Sequence, residues 1–157
     1  VNAVMEHAAG SDILVMGIME ASLHAAAFLG AKFTILTPLP TRIPHKEKDV
    51  RRFKLEDSLA SVRALGMTVA ETDADPKRAL ERILEVSRQA AEQDGAEVVI
   101  LGCAGMVGYA EAVGRELGLA VVDPSSVALK LTEAMVGAGL KHSKRALYSK
   151  PRPKEYK

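Results

Sequence analysis

The sequence predicts an α/β fold, a parallel sheet with flanking helices. Short apolar runs alternate with longer amphipathic stretches along most of the 157 residues, the order that βα units impose. Glycine and proline mark the joints, at Gly17, Gly30, Pro38, Gly66, Pro76, Gly95, Gly118 and Pro124. One apolar run, VVIL, leads straight into Gly102-Cys103-Ala104-Gly105-Met106. That is the form of a buried strand ending in a tight turn, where parallel folds hold their chemistry.

Taken in order, residues 13–18 (ILVMGI) read as a short buried strand, and the alanine-rich 21–29 as a helix stopped by Gly30. Residues 32–37 (KFTILT) form the next strand, broken by Pro38 and Pro40, which cannot donate to a ladder. A helix is expected over about 46–65 with Gly66 behind it, then a weak strand over 67–71. Asp75-Pro76 supplies a cap and a first-turn proline for the best-marked helix. Its inward stripe is Leu80, Ile83, Leu84, Ser87, Ala90 and Ala91, and Gly95 closes it. Residues 96–101 are strand again. A helix is expected to start just after Cys103 and run to about 117, with a strand over 119–122 behind it. Asp123-Pro124-Ser125-Ser126 opens a last helix to about 136, and little regular structure is expected beyond 140.

Composition narrows the class. Hydrophobic residues make up 48% and charged residues 26% of the chain, which suits an ordered globular domain rather than a disordered one. No apolar run approaches the roughly 20 residues of a membrane span, so no membrane partner is expected. A single cysteine forms no internal disulfide and no secretory signal is present, so a cytoplasmic setting is the default. Seven of the 21 Lys/Arg but one of the 20 Asp/Glu fall in 141–157. The rest of the chain is therefore net acidic, and the basic tail lacks interleaved stacking aromatics. It reads as solvated or docked on the surface rather than as a nucleic-acid contact.

Four turns are expected on one edge of the sheet: Gly17-Ile18, Thr37-Pro38, Gly102-Cys103 and Asp123-Pro124. Such a rim, with free backbone N–H groups, suits a small anionic or carbonyl-bearing ligand. A helix start beside Cys103 would favour its thiolate. Each residue also has a plainer reading. A lone cysteine is often packing. Asp123 and Ser125 can be helix caps, Thr37 an ordinary strand residue, and Glu20 a first-turn acid. Of the four histidines, His24 lies nearest a turn, and a packed helix residue is its preferred reading. No phosphate-loop pattern and no cluster with metal-ligand spacing is present, so neither a nucleotide, a cofactor nor a metal is expected.

The stretch VVILGCAGM resembles the aspartate/glutamate/hydantoin racemase superfamily, in its hydantoin and allantoin racemase branch. Val15-Met16-Gly17-Ile18-Met19-Glu20-Ala21 is similar to the family's VxGIxEA turn, and Phe33-Thr34-Ile35-Leu36-Thr37 to its next strand. Glu92 to Glu97, Val121-Val122-Asp123 and Ser143-Lys144-Arg145 with Tyr148 agree in order and spacing. The resemblance implies a flavodoxin-like fold of two pseudo-symmetric domains with the site between them. It implies racemisation without cofactors by two thiols on opposite faces of the chiral carbon. Carried over residue by residue, Cys103 matches the second catalytic cysteine, with Gly102, Ala104, Gly105 and Met106 as its motif. Thr37 and Glu20 match pocket-forming positions. The first cysteine would fall at or just before Val1. On that basis 1–18 is the end of a first domain and 19–122 the second. Residues 123–140 return to the first domain, and 141–157 form a basic tail. The expected partner is a small-molecule substrate, with self-association into a homo-oligomer left open. One-cysteine arylmalonate decarboxylase chemistry, or a remnant that only binds, are the alternatives.

Overall fold

The computed structural model describes Val4, Ala8, residues 11–146, Tyr148 and Ser149. Four parallel strands form one sheet in the order β2-β1-β3-β4. They are β1 (Phe33–Thr37), β2 (Leu59–Ala64), β3 (Val98–Leu101) and β4 (Ala120–Val122). The inner strands β1 and β3 are buried at every residue, which explains their unbroken apolar runs. Their register pairs Phe33 with Val98 and Leu36 with Leu101.

Side chains alternate across this sheet and feed two cores. Phe33, Ile35, Val98, Ile100 and Val122 pack with Leu23 of α1 (Ile18–Leu29), Val50 of α2 (Ile43–Arg52) and Val127 of the last helix. Leu36, Val99 and Leu101 face the other way. There they meet Ala79, Ile83 and Val86 of α4 (Pro76–Asp94) and Val113 of α5 (Ala110–Leu117). The chain leaves β1 towards β2 on one side and reaches β3 on the other. The carboxyl ends of β1 and β3 therefore flank the point where strand order reverses.

Most joints are as expected. The Asp75 carboxylate accepts from Arg78 N–H at 3.0 Å to start α4, and Gly95 ends it at a left-handed φ of 71°. The buried stripe of α4 is Ala79, Ile83, Val86, Ser87 and Ala90, with Leu80 and Leu84 on its flank. The last helix, α6 (Pro124–Gly137), is capped by Asp123 and lies against α1.

Four expectations are corrected. Residues 13–17 form no strand; a strand exists only by pairing, and here the backbone of Val15 meets the His142 ring instead. The helix expected over 46–65 ends at Arg52, where Lys54 takes a positive φ of 57°, and the second half becomes edge strand β2. The weak strand at 67–71 is instead the start of α3 (Val69–Ala74). Thr68 and Glu71 form a reciprocal capping box there, a spacing visible in the sequence. Finally, Cys103 is followed by a single 3₁₀ turn (Ala104–Met106), and α5 begins only at Ala110, after Gly108 at φ 93°. The α-helix expected directly after the thiol is therefore displaced by seven residues.

The described part of the basic segment docks on the surface without helix or strand. His142 stacks on Tyr148 at 3.7 Å, Lys141 pairs with Asp12, and Lys144 donates to the Ser11 carbonyl. No described helix is long and apolar enough to cross a membrane.

Candidate active site

The parallel strands deliver Thr37, Gly102-Cys103 and Asp123 to one edge of the sheet, as their adjacency in β1, β3 and β4 requires. Gly17-Ile18 is not a strand end but the start of α1. Gly102 is a steric requirement. Its N–H donates to the Leu36 carbonyl at 2.8 Å, and a Cβ there would lie 2.3 Å from the same oxygen. The strands approach so closely that only glycine fits.

Past Gly102 the chain lifts off the ladder and exposes part of Cys103. The Cys103 carbonyl accepts from Met106 N–H at 3.0 Å, closing the 3₁₀ turn. Met106 anchors that turn, with its side chain in the core beneath it. Ala104 and Gly105 open the turn, so their N–H groups have no acceptor within it, nor any other among the described residues. A Cβ on Gly105 would lie 3.8 Å from the Cys103 sulfur, which places this backbone beside the thiol. The arrangement can hold a thiol against a carbonyl-bearing ligand, with two donors for negative charge that develops on it.

Asp123 fixes the far end of this loop. Its Oδ1 accepts from Ser125 and Ser126 N–H, both at 3.0 Å, and its Oδ2 accepts from Gly108 N–H at 3.3 Å. The cap was legible in the sequence; the link to Gly108 was not, since it joins residues fifteen apart. Thr37, fully buried at the end of β1, keeps a hydroxyl with no hydrogen-bond partner among the described residues.

Glu20 is placed apart from this group. It lines a groove of about 640 Å³ formed with α1, α6 and the 140–148 segment, and Cys103 is not among the residues lining it. His24 lines the same groove, an exposed helix residue set edge-on to Phe53. Sequence reasoning passed over Lys46. It is half-buried on α2, as are Glu47 and Asp49, while Lys48 on the same helix is exposed. Burial holds the Lys46 ammonium below the usual lysine range, opposed by the nearby Asp49 and Cys103 charges and aided by Arg42. Among the described residues no group of three or more His, Cys, Asp or Glu side chains is placed to hold a metal ion.

Comparison with known proteins places the chain in a family. A family model described as Asp/Glu/hydantoin racemase matches residues 3–132. A hydantoin racemase from Paenarthrobacter aurescens is 37% identical over 146 residues, 93% of this chain and 62% of the relative. One from Pseudomonas sp. (strain NS671) is 35% identical over 93% of this chain and 59% of its own. The crystal structure of an allantoin racemase from Pseudomonas fluorescens superposes with a TM-score of 0.90 at 36% identity, over 99% of this chain and 65% of that one. An allantoin racemase from Klebsiella pneumoniae gives 0.89 at 29% identity. The chain thus spans about three fifths of the length of these curated relatives.

Proposed function

Since the chain belongs to the Asp/Glu/hydantoin racemase family, we propose that it is part of a cofactor-independent racemase for a hydantoin-type compound, a 5-substituted hydantoin or allantoin. Cys103 is one of its two acid/base thiols. The observation that carries this is the position of the thiol. It stands at the strand-order reversal, half-exposed, beside the uncommitted N–H groups of Ala104 and Gly105. The substrate class rests on the hydantoin and allantoin racemases among the relatives.

In this mechanism the Cys103 thiolate takes the α-proton. The C–H electron pair moves onto the neighbouring carbonyl oxygen, where the two N–H groups stabilise the enolate-like charge. A second thiol on the opposite face then protonates the carbon, and the electron pair returns. The ring carbonyl and nitrogens make this proton more acidic than that of a free amino acid. On this reading 1–18 is the end of the first domain, 19–122 is the second domain, and 123–140 returns to the first. The outward apolar Leu129 and Val136 of α6 support that return.

The test is exchange of the α-proton of a 5-substituted hydantoin and of allantoin in heavy water, followed by NMR on the intact protein. Cys103→Ala is expected to lower exchange by about 10³-fold or more; an unchanged rate overturns the assignment. The second reading is one-sided protonation by a single thiol, after loss of carbon dioxide. Decarboxylation of an arylmalonate without hydantoin exchange would select it.

A further inference from the structure

Val69 opens α3, and its side chain lies against the turn that follows Cys103. A Cβ on Gly105 would lie 2.9 Å from Val69 Cγ1, 3.6 Å from Val69 Cγ2 and 3.8 Å from the Cys103 sulfur. Valine and thiol therefore flank the same face of Gly105. Cγ1 and the sulfur are at most 6.7 Å apart, the sum of the first and last of those lengths. Glycine at 105 lets the valine come so near, since a side chain there would push it aside. The seat of α3 is well defined. Leu65 N–H donates to the Thr37 carbonyl at 2.8 Å and Gly66 N–H to the Pro38 carbonyl at 2.9 Å, which ties the chain after β2 to the end of β1. Met67 is buried in the core cluster that holds Met106 and on which Cys103 packs. The Thr68–Glu71 capping box and the buried Thr72 then fix the helix itself. Val69 is nevertheless 42% exposed, and Val107 beyond the turn is exposed too. One exposed valine is ordinary; its place beside a half-exposed thiol singles it out.

We propose that Val69 sets specificity, as the apolar wall that receives the group carried on the carbon facing Cys103. The inference deepens the racemase reading and, for the identity of the substrate, rests on it. A reacting carbon stands about 3–3.5 Å from the sulfur. For a carbon lying between sulfur and valine, what remains is roughly one carbon–carbon contact, about 3.5–4 Å. The first atoms of its substituent therefore meet Val69. Such a wall suits an alkyl or aryl substituent. The ureido group of allantoin would lose water against it and gain no hydrogen bond. The carboxylate nearest in sequence supplies none, because Glu71 accepts from the Thr68 N–H and hydroxyl, both at 2.8 Å. The substrate class is a hydantoin with an apolar 5-substituent rather than allantoin.

The experiment compares the parent with Val69→Thr, which keeps the branched shape and adds a hydroxyl. In the intact protein, heavy-water exchange of 5-isopropylhydantoin and of allantoin gives the ratio of their kcat/KM values. The parent is expected to favour 5-isopropylhydantoin, and Val69→Thr to lower the ratio about fivefold, through KM of the apolar substrate. A second readout needs no turnover: the rate of Cys103 alkylation by N-benzyl-iodoacetamide relative to iodoacetamide, read at the Cys103 peptide by mass spectrometry. Val69→Thr should lower this ratio by a similar factor. Leu29→Thr should move neither, since that exposed residue precedes Gly30, which packs against the start of β3 at the opposite edge of the sheet. Parent-like ratios in Val69→Thr overturn the inference, as does a parent that prefers allantoin or an equal fall in Leu29→Thr. A lowered alkylation ratio with no exchange of either compound keeps the wall and removes the racemase. Exchange with both ratios unmoved keeps the racemase and removes the wall.

Discussion

Gly102 shows how much one residue type decides. The β1–β3 pair closes so tightly at this point that a methyl group would fall 2.3 Å from Leu36 O and 2.6 Å from Ile35 Cγ2. Gly102→Ala must therefore push the inner strands apart exactly where their ladder ends and the thiol begins. A loss of about 3 kcal/mol in urea denaturation is expected, with the Cys103 loop displaced as a consequence. A loss below about 0.5 kcal/mol would show that the strands can shift to accept it. The cysteine motif itself was legible because strand, glycine and thiol are adjacent in sequence. Val69 was not, since residues 67–71 read as a weak strand and nothing in MTVAE sets the valine beside the thiol until α3 is seated.

Among the elements, edge strand β2 adds polar contacts to the packing of Leu59 and Val62 on the core. Arg63 grips Asp94 at the end of α4 through Nε and Nη2 at 2.6 and 2.8 Å, and Ser61 donates to the same carboxylate at 2.6 Å. The Arg63 hydrogen bonds, more than that of Ser61, hold the Asp94 carboxyl below the usual carboxylate range against its burial. A depressed folded-state pKa stabilises the protein above the unfolded value of about 3.9, and that stabilisation is lost as pH falls through the lower folded value. Asp94→Asn is expected to cost about 1–2 kcal/mol at pH 7. In chemical denaturation the gap from the parent should close in acid, below the ordinary aspartate range. A gap independent of pH would mean the carboxylate charge is not what holds the strand. This strand escaped the sequence reading because its six residues are all half-buried. Such a pattern matches neither strict alternation nor an inner strand's apolar run.

For the whole molecule, the rim is a product of topology. Thr37 and Cys103 are 66 positions apart, and only the pairing of β1 with β3 brings their strand ends together. The Thr37 hydroxyl is buried with no partner among the described residues, a state that costs about 1–3 kcal/mol unless something else uses the group. Thr37→Val should therefore melt at the same temperature or higher. If the hydroxyl reads the substrate, KM for the hydantoin should rise about tenfold in the intact protein. Unchanged KM with raised stability would make Thr37 a structural residue alone.

By itself the sequence determined what depends on near neighbours. This includes the buried runs of β1 and β3, the Asp75 and Asp123 caps, the glycine stops, the α/β class and the strand-end cysteine. Each follows from periodicity or side-chain chemistry within a few residues. The tertiary structure alone decided which segments became strands, since β2 exists by pairing with β1 and 13–17 finds no such partner. It also decided that Glu20 belongs to a different groove from the cysteine loop. Strand pairing and the lining of a groove are properties of distance in space, and the chain's order does not carry them.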